Sequence, residues 1–73
     1  MRELQTDVVA DRRVRLVAHP GGRYAVTIEV WGPEGWEDIS LLSDQDLDLH
    51  TASLCYRLRR TEQLARAIVW EQP

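Results

Sequence analysis

The sequence predicts an α+β fold: a three- to four-stranded antiparallel β-meander with one C-terminal α-helix packed on its apolar face. Three observations carry that expectation. Residues 13 to 42 alternate apolar and polar side chains with period two, interrupted by two glycine-bearing turns. From Leu47 onward the apolar residues recur at spacings of four and three. The alternation leaves one sheet face oily and the other charged, the pattern of an antiparallel sheet wet on one side.

Residues 3–10 are read as a first strand with Leu4, Thr6 and Val8 on one side, turning at Ala10-Asp11-Arg12. Residues 13–19 form the second, with Val14, Leu16 and Ala18 on one face and Arg13, Arg15 and Val17 on the other. Pro20-Gly21-Gly22 connects it to a third strand, 23–31, and sets Ala18 opposite Tyr24, Leu16 opposite Val26 and Val14 opposite Ile28. Apolar residues then meet apolar residues, and Arg13 meets Glu29. Gly32-Pro33-Glu34-Gly35 leads into a fourth strand, 36–42. With Trp31 opposite Trp36, Glu29 faces Asp38, Ile28 faces Ile39, Thr27 faces Ser40 and Val26 faces Leu41. Tyr24, Val26, Ile28, Val30, Ile39 and Leu41 therefore share the oily face.

Ser43-Asp44-Gln45-Asp46 reads as a helix start, a serine cap with an acid three residues on. A separate or bent turn over 44–49 would precede the main helix, 50–69, with Glu71-Gln72-Pro73 ending it. The stripe Leu47, Thr51, Leu54, Leu58, Thr61, Ala65 and Ile68, flanked by Cys55 and Val69, is expected to face the sheet. Arg59, Arg60, Gln63 and Arg66 are expected to face water.

At 73 residues the chain (1–73) makes one small domain. A chain of this size buries only roughly 60% of its unfolded surface, so it gains from a staple. Cys55 is the only cysteine, and His19, His50 and Cys55 form no ligand cluster, so neither disulfide, metal nor cofactor is expected. The remaining staple is a partner. All nine basic residues are arginine against twelve acids, a net charge of −3 that argues against nucleic acid and anionic membrane as partners. Lysine-free, arginine-rich usage points to a GC-rich genome, bacterial or phage. The N-terminus has no apolar signal core and no run approaches the ~20 apolar residues of a bilayer span, so a cytoplasmic protein is expected.

The candidate binding residues are Trp31, Trp36, Arg13, Arg15, Glu29 and Asp38, all on the face that the helix leaves uncovered, with Val17 and Ala25 beside them. Tryptophan and arginine are the side chains over-represented at interface hot spots. The plainer reading is that the indoles only clasp each other across the hairpin mouth, a contact of roughly 0.2–1 kcal/mol. Glu29 beside Asp38 suggests an acid/base pair, but Arg13 neutralises Glu29 and a solvated charge ladder accounts for them better. Asp44-x-Asp46-x-Asp48 opens like a calcium loop, yet Leu49 stands where such a loop needs glycine and Cys55 where it needs glutamate. Cys55 lacks a histidine or acid at helical spacing, and His50 is five residues away. No catalytic motif occurs, so no enzyme is expected. The turn Pro33-Glu34-Gly35-Trp36 resembles the Pro-x-Gly-Trp turn of the MbtH-like proteins, which also join a short sheet to a C-terminal helix. Their Ser-Leu-Trp-Pro signature is absent, and no family is assigned. The expectation is a small regulator, adaptor or inhibitor of the anti-defence kind that binds a protein through its open sheet face. A homo-oligomeric accessory subunit is the alternative and a single-stranded nucleic-acid binder the second.

Overall fold

The computed structural model describes residues 1–71, with side chains through residue 69. It contains strands β1 (Arg2–Val9), β2 (Arg12–His19), β3 (Arg23–Gly32), β4 (Gly35–Asp38) and β5 (Asp44–Leu47), then helix α1 (Leu49–Glu71). One turn of 3-10 helix, Ser40–Leu42, separates β4 from β5. The architecture is the α+β arrangement of an antiparallel sheet with one C-terminal helix. β1 to β4 lie in sequential order. β2 occupies one edge of β3, so β4 and β5 share the other edge end to end.

The β2–β3 register is the one that alternation requires: Val14 pairs with Ile28, Leu16 with Val26, Ala18 with Tyr24 and Arg13 with Glu29. Its turn depends on Gly21 and Gly22, at φ of +84° and +73°, where a Cβ would be strained. Val14, Leu16, Val26 and Ile28 form the core with Ala52 and Tyr56 of α1, and Tyr24, Ile39, Leu42, Leu47 and Cys55 pack around them.

Four expectations are corrected. In β1, Glu3 pairs with Val17 but Gln5 with Leu16, so Leu4 is an extra, bulged residue. Leu4 thus falls out of the alternation, and Glu3, rather than Leu4, shares a face with Thr6 and Val8.

The strand expected over 36–42 stops at Asp38. The Ile39 N–H still donates to Ile28 O at 2.7 Å, but the chain then turns away, and Val26 pairs with Asp44 in place of Leu41. Leu41, expected on the apolar face, is 96% exposed, while Leu42 packs against the core. Ser43 bridges the break. Its Oγ accepts from the Ile28 N–H at 3.1 Å and donates to Asp38 Oδ1 at 2.6 Å, with Ile39 O also in reach at 3.1 Å. A side-chain oxygen here replaces the missing backbone acceptor for a buried N–H.

Ser43-Asp44-Gln45-Asp46 accordingly starts no helix, because the free edge of β3 offers these residues backbone partners. β5 is bulged: two residues, Gln45 and Asp46, stand against Ala25 alone between its pairs with Val26 and Tyr24. Asp46 takes the left-handed conformation, φ +58°. The bulge turns both Asp44 and Leu47 toward α1, which strict alternation would forbid. The helix cap is Asp48, whose Oδ1 accepts from the Thr51 N–H at 2.7 Å. That bond holds the Asp48 carboxyl below its usual range.

The helix is also turned differently from the expected stripe. Among the described residues of the helix Ala52, Tyr56 and Gln63 are buried, whereas Leu54, Leu58, Ile68 and Val69 are exposed. The reason lies at the margins of the sheet's apolar face, where polar groups need partners from α1. The Tyr56 hydroxyl donates to Asp7. Cys55 Sγ donates to Asp44 Oδ2 at 2.9 Å and Arg59 Nε to the same oxygen at 3.1 Å. Arg12 Nη1 donates to Gln63 Oε1 at 3.2 Å, and Arg66 Nη1 to Asp11 Oδ1 at 3.3 Å. Burying two leucines would gain roughly 1.5–3 kcal/mol each. Stranding a buried polar group costs about 1–3 kcal/mol, less for partly exposed ones such as Asp11, and several such groups depend on this one orientation of the helix. Ala52 completes the preference by letting α1 approach Val26 and Ile28 closely. From Gln72 on, the expected helix terminator lies outside the described residues.

Ser43→Ala is expected to cost about 1–3 kcal/mol in denaturant unfolding, because the buried Ile28 N–H loses its acceptor. Asp48→Ala is expected to lower the denaturation midpoint at neutral pH, because the Thr51 N–H loses its cap. Since the folded Asp48 carboxyl titrates below its unfolded value, this contribution is complete above the unfolded value. It disappears as pH falls through the folded one. Chemical denaturation across acidic pH checks both the size and the sign.

Candidate interaction surface

On the face opposite α1, β1, β2 and β3 line up long charged side chains. Arg15 Nε donates to Glu3 Oε1 at 2.8 Å and Arg15 Nη1 to Glu29 Oε2 at 3.4 Å, while Arg13 Nε donates to Glu29 Oε1 at 2.5 Å. The β1 bulge is what brings Glu3 into line with this ladder, which is why alternation alone missed it. Individually such pairs are worth about 0–1 kcal/mol at a surface; as a network they fix each other's rotamers. Val17 and Ala25, on the same face, are 1% and 0% exposed. With the helix on the other side, the long side chains of this ladder are what can keep water from them. This face is therefore sealed by charge, without an open apolar floor.

The exception is its tryptophan corner. Trp31 and Trp36 are cross-strand partners, with ring centroids 5.3 Å apart and planes at 67°, the edge-to-face arrangement favoured by the ring quadrupoles. The Arg13 guanidinium sits 4.6 Å from the centre of the Trp36 ring, a cation–π contact worth about 0.5–2 kcal/mol. The order of support runs Glu29 to Arg13 to Trp36 to Trp31. The Trp31 N–H also donates to Asp11 O at 2.7 Å, so the β1–β2 turn pins its backbone. Trp31 is nevertheless 59% exposed, whereas Trp36 is half-buried.

Of the six candidate residues, the structure gathers Trp31, Trp36, Arg13, Arg15 and Glu29 into one connected group. Asp38 stands opposite Glu29 in the register, but its carboxylate accepts from Ser43 and serves the break after β4. Glu29 and Asp38 thus bind different groups.

Hydrogen bonds from Thr6 and Arg15 hold the Glu3 carboxyl of the helix-free face below its usual range; further displaced groups lie on the helix side of the sheet. The Asp44 carboxyl is held low by the Cys55 thiol and the Arg59 guanidinium. Burial, reinforced by the Asp44 carboxylate, pushes Cys55 up to about 11, so it stays a protonated donor at neutral pH. Burial and the Asp7 carboxylate likewise raise Tyr56. A cleft of ≈ 300 Å³ opens between β1, β2 and α1, lined by Gln5, Leu16, Ser53, Tyr56, Arg57 and Arg60. Its phenol is committed to Asp7, and Arg60 Nε lies 4.0 Å from the same carboxylate. Among the described residues no group of three or more His, Cys, Asp or Glu side chains could hold a metal ion. No helix there is long and apolar enough to cross a membrane.

Cys55 is expected to alkylate slowly at mildly alkaline pH relative to a free thiol. Asp44→Asn, which removes the neighbouring negative charge, should accelerate it severalfold in a rate measurement against pH. Because the folded thiol titrates above its unfolded value, its contribution to stability is full below about pH 9. It is lost as pH rises through about 11. No protein-family model, curated protein or solved structure matches this chain.

Proposed function

We propose that this protein is a non-enzymatic interaction module, a small cytoplasmic regulator, adaptor or inhibitor. It grips a protein partner with the Trp31 corner of its helix-free sheet face. The observation that supports this reading is the state of Trp31: exposed over more than half its surface, yet held by Trp36, by the Arg13–Glu29 pair behind it and by its backbone bond to Asp11. A large aromatic group that is already ordered loses little conformational entropy on binding and brings its full area to a pocket. Arg13 and Arg15 are occupied by carboxylates, so their role at such a contact is to orient and rigidify the corner. The same occupancy weakens the nucleic-acid alternative, which needs cations free to meet phosphates. A homo-oligomeric accessory subunit is the second reading, favoured by the leucines that α1 turns to water.

Trp31→Ala removes the exposed indole and leaves the core untouched. It is expected to weaken partner binding by more than about 2 kcal/mol, roughly thirtyfold in Kd, with the helical minimum of the far-UV dichroism spectrum and the unfolding transition retained. Affinity capture from the host, comparing wild type with Trp31→Ala, reads this directly. Equal recovery of the same partner by both proteins would overturn the proposal.

A further inference from the structure

The outward side of α1 carries Leu54, Leu58, Thr61, Ala65 and Ile68, at spacings of four, three, four and three. Leu54, Leu58 and Ile68 are 52%, 56% and 59% exposed, and Val69 and Leu64 extend the same apolar strip. The strip lies across the helix from Ala52, Tyr56 and Gln63, so nothing in this chain's own sheet can cover it. A repeat of 3.5 residues follows a straight helix poorly, but it stays in register with a second helix that supercoils around it. The surface is complementary to itself.

The flanking charges indicate both the occupant and its direction. Arg57 borders the strip on one side and Glu62 on the other, five residues apart, the spacing at which helices in a parallel pair exchange salt bridges across the seam. Among the described residues the Arg57 guanidinium makes no ion pair or hydrogen bond; only its carbonyl is engaged, accepting from Thr61 Oγ1 at 2.9 Å. Glu62 engages Arg59 through Oε2 at 3.0 Å, leaving Oε1 for another cation. In a parallel pair each Arg57 meets the other copy's Glu62, twice by symmetry. In an antiparallel pair the Glu62 edges face each other, as do the Arg57 edges, and like charges meet. Ala65 and Thr61, the small residues of the seam, allow close approach.

We infer that this chain forms a parallel two-fold dimer through the Leu54–Leu58–Ala65–Ile68 face of α1, with Arg57 paired to Glu62 of the second copy. The helix is already folded by its packing on the sheet, so a seam of about two heptads need not supply the cost of helix nucleation. The two sheets lie on opposite outer sides of the helix pair, and both Trp31 corners remain free.

Sedimentation equilibrium at micromolar concentration should give a dimer for the wild type and a monomer for Leu58→Glu. Leu58 is already more than half exposed, so Leu58→Glu should keep the helical dichroism spectrum. Trp31→Ala should remain a dimer. A monomeric wild type, a dimeric Leu58→Glu, or loss of the dimer in Trp31→Ala would each overturn the inference. Orientation is read by Ala65→Cys in a Cys55→Ser background, because a parallel seam places the two introduced thiols within disulfide reach. Mild oxidation should yield a covalent dimer, and failure to cross-link while still sedimenting as a dimer would overturn the parallel pairing.

Discussion

The placement of α1 rests on a few polar contacts at the rim of an apolar sheet face. Asp7 and Asp44 stand where their carboxylates would meet the helix, and each finds a donor there: the Tyr56 hydroxyl for one, Cys55 and Arg59 for the other. Gln63 accepts from Arg12 in the same way. These contacts fix the helix about its own axis. Because the rotation that satisfies them buries Ala52 and Tyr56 in place of leucine, the same contacts push an apolar stripe into water. Exposure of Leu54, Leu58 and Ile68 is thus a consequence of satisfying polar groups at the rim of the core.

The two faces of the sheet solve the problem of a small core differently. Toward the helix, four aliphatic side chains from β2 and β3 are fully or nearly fully covered. On the other face, Arg13, Arg15, Glu3 and Glu29 neutralise one another and shield Val17 and Ala25, so that a single layer of long side chains does what a second helix does in larger folds. The ladder ends at Trp36, which Arg13 caps, and Trp31 is the first side chain beyond its reach. An exposed indole at the end of a rigid array is positioned without being covered.

Ser43 shows how side-chain chemistry alters strand boundaries. Alternation from Trp36 to Leu42 describes an unbroken strand, and its first residues pair accordingly. The interruption follows from Ser43 Oγ replacing a carbonyl for Ile28, which releases Ser40–Leu42 to form a tight turn and lets Asp44–Leu47 resume the edge. The serine that resembles a helix cap in the sequence makes this splice instead. Asp48, four residues on from Asp44, does the capping.

The sequence by itself determined the α+β class, the β2–β3 and β3–β4 registers, and the membership of the helix-free face in Arg13, Arg15, Glu29, Trp31 and Trp36. Period-two alternation and turn length are local properties, and a slip by one residue would have exposed every core side chain. Only the tertiary structure decided which side of α1 is buried, that β5 exists, and that Glu3 joins the ladder. Tyr56 and Asp7 are 49 residues apart in the chain, and Arg12 and Gln63 are 51 apart. A periodicity that counts apolar residues along one helix has no means of registering hydrogen bonds that distant strands demand of it.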